Sequence, residues 1–372
     1  IIELAKKTGK IIPVRLVKGA YWDAEIKHAQ TLGLANYPVF TKKELTDANY
    51  LIQARKIFEN GDYIFPGFAT HNAITAASII EMSKGRAFEF QKLHGMGGPL
   101  HKELHKNHDV RIYAPIGKME DLLAYLMRRL LENGANNSFV NQVSDMNARM
   151  IYDLHRELTN NKTDTKIVLP TDIYSDRKNS MGYELGYQFM QDKLKNKIDF
   201  FKDKVYKVGS IINGREMTTK HVTDHFRPGR MAEKIGDVSI STESSMNASI
   251  ESAQLAFEDW GARPVEERAK ILRHIADLLE ENEAELFSLL IREAGKTIQD
   301  TIAELREAVD FCRYYANQAE HIMQDRHLPG ITGESNILTM HGRGVFLCIS
   351  PWNFPLAIFM GQIVAALVSG NC

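Results

Sequence analysis

The feature that most constrains this chain is an alternation of short β-type runs and helical patterns over residues 1 to about 140. The β candidates are "KIIPVRLVKGA", "YIFPGFATH", "AFEFQKLHG" and "VRIYAPIG". Between them lie "DAEIKHAQTL", "DANYLIQARKIFEN", "ITAASIIEMSK" and "GPLHKELHKN", and a last helix runs from Lys118 to Asn133. Strand-then-helix order predicts an α/β fold whose parallel strands are joined by crossover helices. Each β run ends in polar or glycine-rich residues: Lys18-Gly19, Thr70-His71-Asn72, His94-Gly95 and Gly117. Those carboxyl ends are where parallel α/β sheets and barrels place ligands. Four strands do not close a barrel of eight, so an eight-stranded barrel would have its other half upstream.

Beyond residue 140 the text changes. From about 141 to 225 it is polar, with "NNKTDTKIVLPTDIYSDRKNSMGYELG" reading as connection rather than core, and "HFRPGRMAEKIGDVSIS" as a turn with a short strand pair. From Ser245 it becomes helical for about eighty residues, with Pro264 placed where a helix starts. A β run is expected at Gly344–Ile349, followed by a polar-aromatic turn and an apolar helix, Phe354 to Gly370. Gln362 interrupts that helix, which is short for a membrane span and reads as buried.

The chain has 372 residues, enough for two or three domains. A net charge of −1 gives no electrostatic reason to expect nucleic acid. Cys312, Cys348 and Cys372 are too few and too scattered for a disulfide framework or a zinc site, so no metal is expected and a cytoplasmic setting is. The first ten residues carry three lysines and no extended apolar core, unlike a signal peptide. A start at Ile1 and a stop at Cys372 inside an apolar helix suggest a piece of a longer polypeptide.

Arg15 inside a β run could be an edge residue with its head in water. Taken with Lys18, Gly19, Tyr21 and Trp22, it describes a ligand site: a forked cation, a glycine permitting close approach, and flat aromatic faces. Thr70, His71 and Asn72 add donors at the next strand end, and Thr41 and Lys43 precede a helix, where anions are welcome. These stretches, "RLVKGAYWD", "FATHN", "FEFQKLHGMG", "RIYAPIG" and "YLMRRLLENGANNSFVN", resemble in order consecutive motifs of the proline dehydrogenase family, an FAD-dependent (βα)8 barrel, over its C-terminal half. The resemblance implies that Arg15 contacts the flavin near its reactive nitrogen, and that Val17, Lys18, Gly19, Trp22, Thr41, Lys43, Thr70 and His71 help hold FAD.

On the helix Lys118–Asn133, Met119, Leu122, Leu123, Leu126, Met127, Leu130 and Leu131 form one apolar stripe. Tyr125, Arg128, Arg129 and Glu132 share the other face, which periodicity alone would leave in solvent, with Arg128 and Glu132 as an i,i+4 pair. The resemblance implies instead that this face looks into the barrel mouth. Arg128 and Arg129 would then grip the proline carboxylate, Tyr21, Tyr113, Tyr125 and Leu93 would wall the ring, and Glu132 would orient the arginines.

The run "GVFLCISPWNFPLAIFMGQIVAALVSGNC" is open to a structural reading, with Trp352 and Phe354 as core aromatics. It also resembles the "PWNFP" turn of the aldehyde dehydrogenase superfamily, whose N-terminal helices resemble "AFEDWGARPVEERAKILRHIADLLEENEAELFSLLIREAGKTIQDTIAEL". That resemblance implies a Rossmann-like NAD domain in which Asn353 donates to an oxyanion and Ile349, Ser350, Pro351 and Trp352 lie near NAD. It places the catalytic cysteine and general base beyond residue 372 and leaves Cys372 a structural thiol.

Both halves on one chain resemble the bifunctional proline utilization A family. The implied division is barrel at 1–145, linker at 146–225 and aldehyde dehydrogenase start at 226–372. The implied partners are L-proline, glutamate semialdehyde and a quinone acceptor; a homodimer and peripheral contact with a bacterial inner membrane also fit. Rival readings are an NAD-dependent aldehyde dehydrogenase alone, an inactive or interaction fragment, and a DNA-binding regulator, which the charge does not support.

Overall fold

The computed structural model describes residues 1–136 and 167–372, with side chains described outside 129–136. It divides into two compact units, one of Ile1–Ile26 with Pro38–Ile167 and one of Lys27–Tyr37 with Val168–Cys372.

The first unit is built on four parallel strands, β1 (Ile12–Leu16), β2 (Ile64–Ala69), β3 (Glu89–Leu93) and β4 (Asp109–Tyr113), paired in sequence order. The helices are α1 (Ile2–Thr8), the first residues of α2 (Trp22–Leu32, assigned to the second unit from Lys27), α3 (Lys43–Glu59), α4 (Ala73–Ser83), α5 (Gly98–Leu104) and α6 (Met119–Asn136). Sequential order without a reversal is the singly wound arrangement that barrels use, not the doubly wound one.

The register explains why Arg15 sits in a strand. Pairing of Arg15 with Gly67, Gly67 with Glu89, Gln91 with Arg111 and Leu93 with Tyr113 puts all of these on one face, because side chains alternate along a strand. The other face carries Val14, Leu16, Phe68, Phe90 and Val110, which pack on Tyr50, Ala54, Ile57 and Phe58 of α3, Ala76 and Ile79 of α4, and Leu104 of α5. Phe58, Phe68, Phe88 and Phe90 contact one another with ring centroids 5.1–5.8 Å apart. Helices therefore cover one face of the sheet and leave a polar face for chemistry.

The second unit is mainly helical. Its core joins α7 (Gln188–Asp199), α9 (Val265–Glu281), α10 (Glu283–Glu293), α11 (Ile298–Ile322) and α12 (Ala357–Val368), with α8 (Glu243–Ala262) preceding them. Leu194, Leu272, Phe287, Val309 and Val364 are among its buried side chains. Buried Arg313 pairs with Asp277 at 3.0 Å and Glu280 at 2.7 Å. Three strands, β5 (Tyr206–Val208), β9 (Arg230–Ser239) and β8 (Val222–Arg227), form one sheet. Two hairpins complete it, β6 (Ser210–Ile212) with β7 (Arg215–Met217) and β10 (Arg326–Leu328) with β11 (Asn336–Leu338).

Three sequence expectations need correction. The stretch read as connection supplies core: Leu194 joins the helical cluster, and Pro170, Asn179 and Ser180 are buried, Asn179 through hydrogen bonds to the carbonyls of Gln30 and Pro170. The polar composition was misleading because those polar groups are satisfied internally. The run Gly344–Ile349 is not in a sheet. Its parallel-type bonds are Phe346 N–H to Cys372 O and Cys372 N–H to Gly344 O, and one facing residue does not make a ladder. Finally, Met119, Leu123, Leu126 and Met127 of the α6 stripe are exposed rather than packed.

Candidate functional site

On the polar face of the four-stranded sheet, two arginines have different surroundings. Arg111 donates through Nε and Nη2 to the two oxygens of Glu89, each at 2.7 Å, and Gln91 Nε2 donates to Glu89 Oε1 at 2.7 Å. The Arg111 hydrogen bonds hold the Glu89 carboxyl below its usual range. Gly67 makes room for this group, since a Cβ there would stand 2.4 Å from Gln91 Nε2.

Arg15, by contrast, makes no hydrogen bond or ion pair among the described residues. Its guanidinium lies over the Tyr113 ring, 5.4 Å from the centroid, and Tyr113 lies 6.4 Å from the ring of Tyr125 on α6. Leu93 pairs with Tyr113 in register and shares its face. The structure thus brings together Arg15, Leu93, Tyr113 and Tyr125 from β1, β3, β4 and α6. Arg128, one turn beyond Tyr125, is exposed. The expected roles of Arg129 and Glu132 fall on side chains outside the described residues. Tyr21 stands apart, 82% exposed and at a left-handed φ of 60°, in the turn after β1.

The strand ends hold the second group. Lys18 Nζ donates to Asp47 Oδ1 and Thr75 Oγ1, both at 2.8 Å, and lies 5.1 Å from the Tyr50 ring centroid. Burial lowers the Lys18 ammonium pKa in spite of Asp47. Lys43 Nζ donates to the other Asp47 oxygen at 2.7 Å. Burial would raise the Asp47 carboxyl, but the hydrogen bonds from Lys18 and Lys43 outweigh it and hold it low. Gly19 adopts a left-handed φ of 61° with open space where a Cβ would be. Trp22 Nε1 donates to the Phe40 carbonyl at 2.9 Å, fixing the indole beside the segment of Thr41 and Lys43. Val17 is exposed just past β1.

Thr70 follows β2, with its hydroxyl accepting from Asn72 N–H at 3.1 Å, and Asn72 caps α4 through Thr75 N–H at 2.9 Å. The Leu93 N–H reaches His71 Nε2 at 3.4 Å. His71 packs edge-on to His101, with ring centroids 5.6 Å apart. His101 is 2% exposed and its Nε2 lies 3.0 Å from Thr70 O. Burial pushes its pKa down to about 4. Gly97 lies under both rings, where a Cβ would stand 2.9 Å from His71 Cδ2.

A flavin suits this donor set. Arg15 and Lys18 are cations at the carboxyl end of β1, Lys43 at the start of α3 shares Asp47 with Lys18, Gly19 leaves open space, and α4 presents a capped N-terminus.

In the second unit, Trp352, Asn353 and Phe354 face Gly295–Thr297, Asp300 and Ala303 around a surface hollow. Asn353 is exposed at its rim. Ser350 Oγ donates to the Pro355 carbonyl at 3.1 Å, and Gln362 takes both the N–H and the carbonyl of Ile349, at 2.9 and 3.2 Å. Ile349, Ser350, Pro351 and Trp352 therefore offer a nucleotide mainly surface, with Ile349 and Trp352 well exposed. Cys312 is fully buried, and burial pushes its thiol up to about 12. Burial also raises Cys372, in keeping with a structural thiol.

Sequence reasoning missed Glu89, Gln91, Arg111, Asp47, His101, Lys296 and Glu304. Period-2 spacing with Tyr113 could have found Arg111, and the i,i+4 step from Lys43 could have found Asp47.

Comparison with known proteins gives these features a frame. Residues 1–142 match the proline dehydrogenase family and residues 216–372 the aldehyde dehydrogenase family. The bifunctional protein PutA of Salmonella typhimurium is 39% identical over 395 aligned residues, covering 100% of this chain and 29% of that protein. A crystal structure of Bradyrhizobium japonicum proline utilization A superposes with a TM-score of 0.74 at 43% identity, covering 100% of this chain and 36% of that one. The 1-pyrroline-5-carboxylate dehydrogenase 1 of Halalkalibacterium halodurans is 37% identical over 161 residues, 43% of this chain and 31% of that protein. The chain thus spans about 29% of the length of the bifunctional relative.

Proposed function

We propose, for a chain that belongs with the bifunctional proline utilization A proteins, that it contributes to both steps of proline oxidation to glutamate. Residues 1–145 would supply the C-terminal half of an FAD-dependent (βα)8 barrel that converts L-proline to Δ1-pyrroline-5-carboxylate. Residues 226–372 would supply the start of an NAD-dependent domain that oxidises glutamate semialdehyde, with 146–225 between them.

The observation that carries the first step is Arg15 over Tyr113 beside Tyr125, on the polar face of the sheet. When bound, FAD would supply the acceptor for the two electrons lost by proline. Arg15 keeps its donors available for the electron-rich edge of that cofactor, where negative charge accumulates. Val17, Lys18, Gly19, Trp22, Thr41, Lys43, Thr70 and His71 hold it, with Asp47 keeping the two lysines in place. Arg128 and Arg129 clamp the proline carboxylate with a geometry that guanidinium suits, Glu132 orients them, and Leu93, Tyr21, Tyr113 and Tyr125 wall the ring. In the second step Asn353 donates to the oxyanion of the aldehyde adduct, and Ile349, Ser350, Pro351 and Trp352 border NAD. A quinone takes electrons from the first step. Contact with the bacterial inner membrane is peripheral in this reading; among the described residues no helix is long and apolar enough to cross a membrane. Assembly as a homodimer belongs to the same proposal.

The test uses the full-length gene product. Anaerobic proline should bleach its flavin absorbance, and Arg128→Ala should raise the proline KM by about 10- to 100-fold, the loss of a charged hydrogen-bonded contact. A purified protein without flavin absorbance would favour an aldehyde dehydrogenase alone. Equal proline requirements in parent and variant would remove the arginine clamp.

A further inference from the structure

One buried carboxylate of the second unit has no part in the steps above. Glu304, on α11, has no exposed surface. Its Oε1 accepts the N–H groups of Leu356 and Ala357 at 2.8 and 3.3 Å, at the start of α12. Helix geometry leaves such donors without an intrahelical partner. Its Oε2 lies 2.6 Å from Lys296 Nζ, which is itself 10% exposed. A carboxylate this far from water persists when a matching charge is beside it. The same ammonium lies 4.1 Å from the Phe354 ring centroid. The pair therefore grips the chain immediately after Asn353 twice, through the neighbouring ring and through two backbone amides. Asn353 itself is exposed and has no side-chain partner among the described residues that could orient it.

We propose that Lys296 and Glu304 are positioning residues for Asn353. They hold the 351–356 turn so that the Asn353 amide meets the developing oxyanion without rearranging. The inference rests on the oxyanion role given to Asn353. A preorganised donor acts only as well as it is held, and a misplacement near 1 Å costs roughly 100-fold in rate. Neither Lys296 nor Glu304 touches the reacting atoms.

A double-mutant cycle in the full-length gene product tests this, with kcat, NAD affinity and Tm measured for each variant. Asn353→Ala should lower the kcat for aldehyde oxidation by about 10²- to 10³-fold. Lys296→Met should lower kcat by about 10- to 100-fold with NAD affinity unchanged. Lys296→Arg should restore most of that loss. In the Asn353→Ala background, Lys296→Met should cost less than about 3-fold, because the group it positions is gone. An equal loss in both backgrounds, with a full Asn353→Ala effect, overturns the positioning role alone. A parental kcat for Asn353→Ala overturns the oxyanion role as well. If Lys296→Met does not fold, Glu304→Gln replaces it in the cycle, since it keeps the acceptor for the two amides and removes the charge that holds Lys296.

Discussion

Acidification should destabilise the first unit through His101, whose ring is buried against Thr70 and His71. His101 Nε2 lies 3.0 Å from the Thr70 carbonyl oxygen, so that nitrogen carries the hydrogen and donates. Nδ1 is then the atom that must take the second proton. It is buried and has no hydrogen-bond partner among the described residues, and its neighbours include the ring of His71. Burial, more than the nearby charges of His71 and Lys92, pushes the folded pKa down to about 4 from an ordinary value of 6.5. The unfolded chain therefore binds a proton that the folded one refuses, throughout the interval between those values. Stability is complete above about pH 6.5 and falls as pH drops through that interval toward 4. A difference near 2.5 units corresponds to about 3 kcal/mol at most. The assay is hydrogen exchange of the β2 and β3 amides at pH 7 and 4.5, corrected for intrinsic rates, in the parent and in His101→Gln. Glutamine can donate to Thr70 but cannot titrate. The parent should lose about 2.5 kcal/mol more protection than the variant over this range. Parallel losses in the two proteins would refute the assignment of the buried proton site to His101.

Three further outcomes follow from packing. Gly33→Ala should destabilise the second unit by more than 2 kcal/mol, roughly, in urea unfolding, because Gly33 has a φ of 63° and a Cβ there would stand 2.0 Å from the Ser180 backbone oxygen. Ser180 cannot easily retreat, since Asp310 accepts from both its N–H and its hydroxyl. Iodoacetamide at pH 8 should leave Cys312 unmodified until urea is added, as mass spectrometry of its peptide would show, because the thiol is fully buried and burial pushes its pKa up to about 12. Gly97→Ala, at a φ of 59°, should push His71 and His101 aside and lower flavin content in the purified full-length protein, with β2 protection reporting the same displacement.

The strands and helices of the first unit were readable because their signals are local. β1 to β3 fall inside the quoted β runs, β4 starts one residue before its run, and α3 and α4 lie within a few residues of the expected helices. Arg15, Tyr113 and Tyr125 could not be joined from sequence alone, since 98 residues separate the first two. Register, not periodicity, brings them to one face. Asp47, His101 and Glu304 were hidden for another reason. Each looks like an ordinary helix residue, and its importance comes from a partner elsewhere in the fold: Lys18, Thr70 and Lys296. The run Gly344–Ile349 misled because β-propensity describes a residue's fitness for a sheet without supplying a neighbouring strand.

Why, then, does the chain keep two arginines on one face of a sheet? Had both faces been covered by helices, two buried cations would each need a carboxylate, and an unpaired one would be strongly destabilising. Arg111 has its carboxylate in Glu89, with Gln91 satisfying the same acid. Among the described residues Arg15 has the π-face of Tyr113, which attracts a cation but accepts none of its N–H groups. That difference assigns different roles to chemically identical groups. Arg111 closes a network that needs Gly67 for space, whereas Arg15 is exposed and keeps its donors open to water or to a bound acceptor. Replacing Tyr113 with leucine should therefore loosen Arg15 and weaken flavin retention, while Glu89, Gln91 and Arg111 keep their geometry. Retention unchanged in Tyr113→Leu would show that the aromatic ring does not orient the guanidinium.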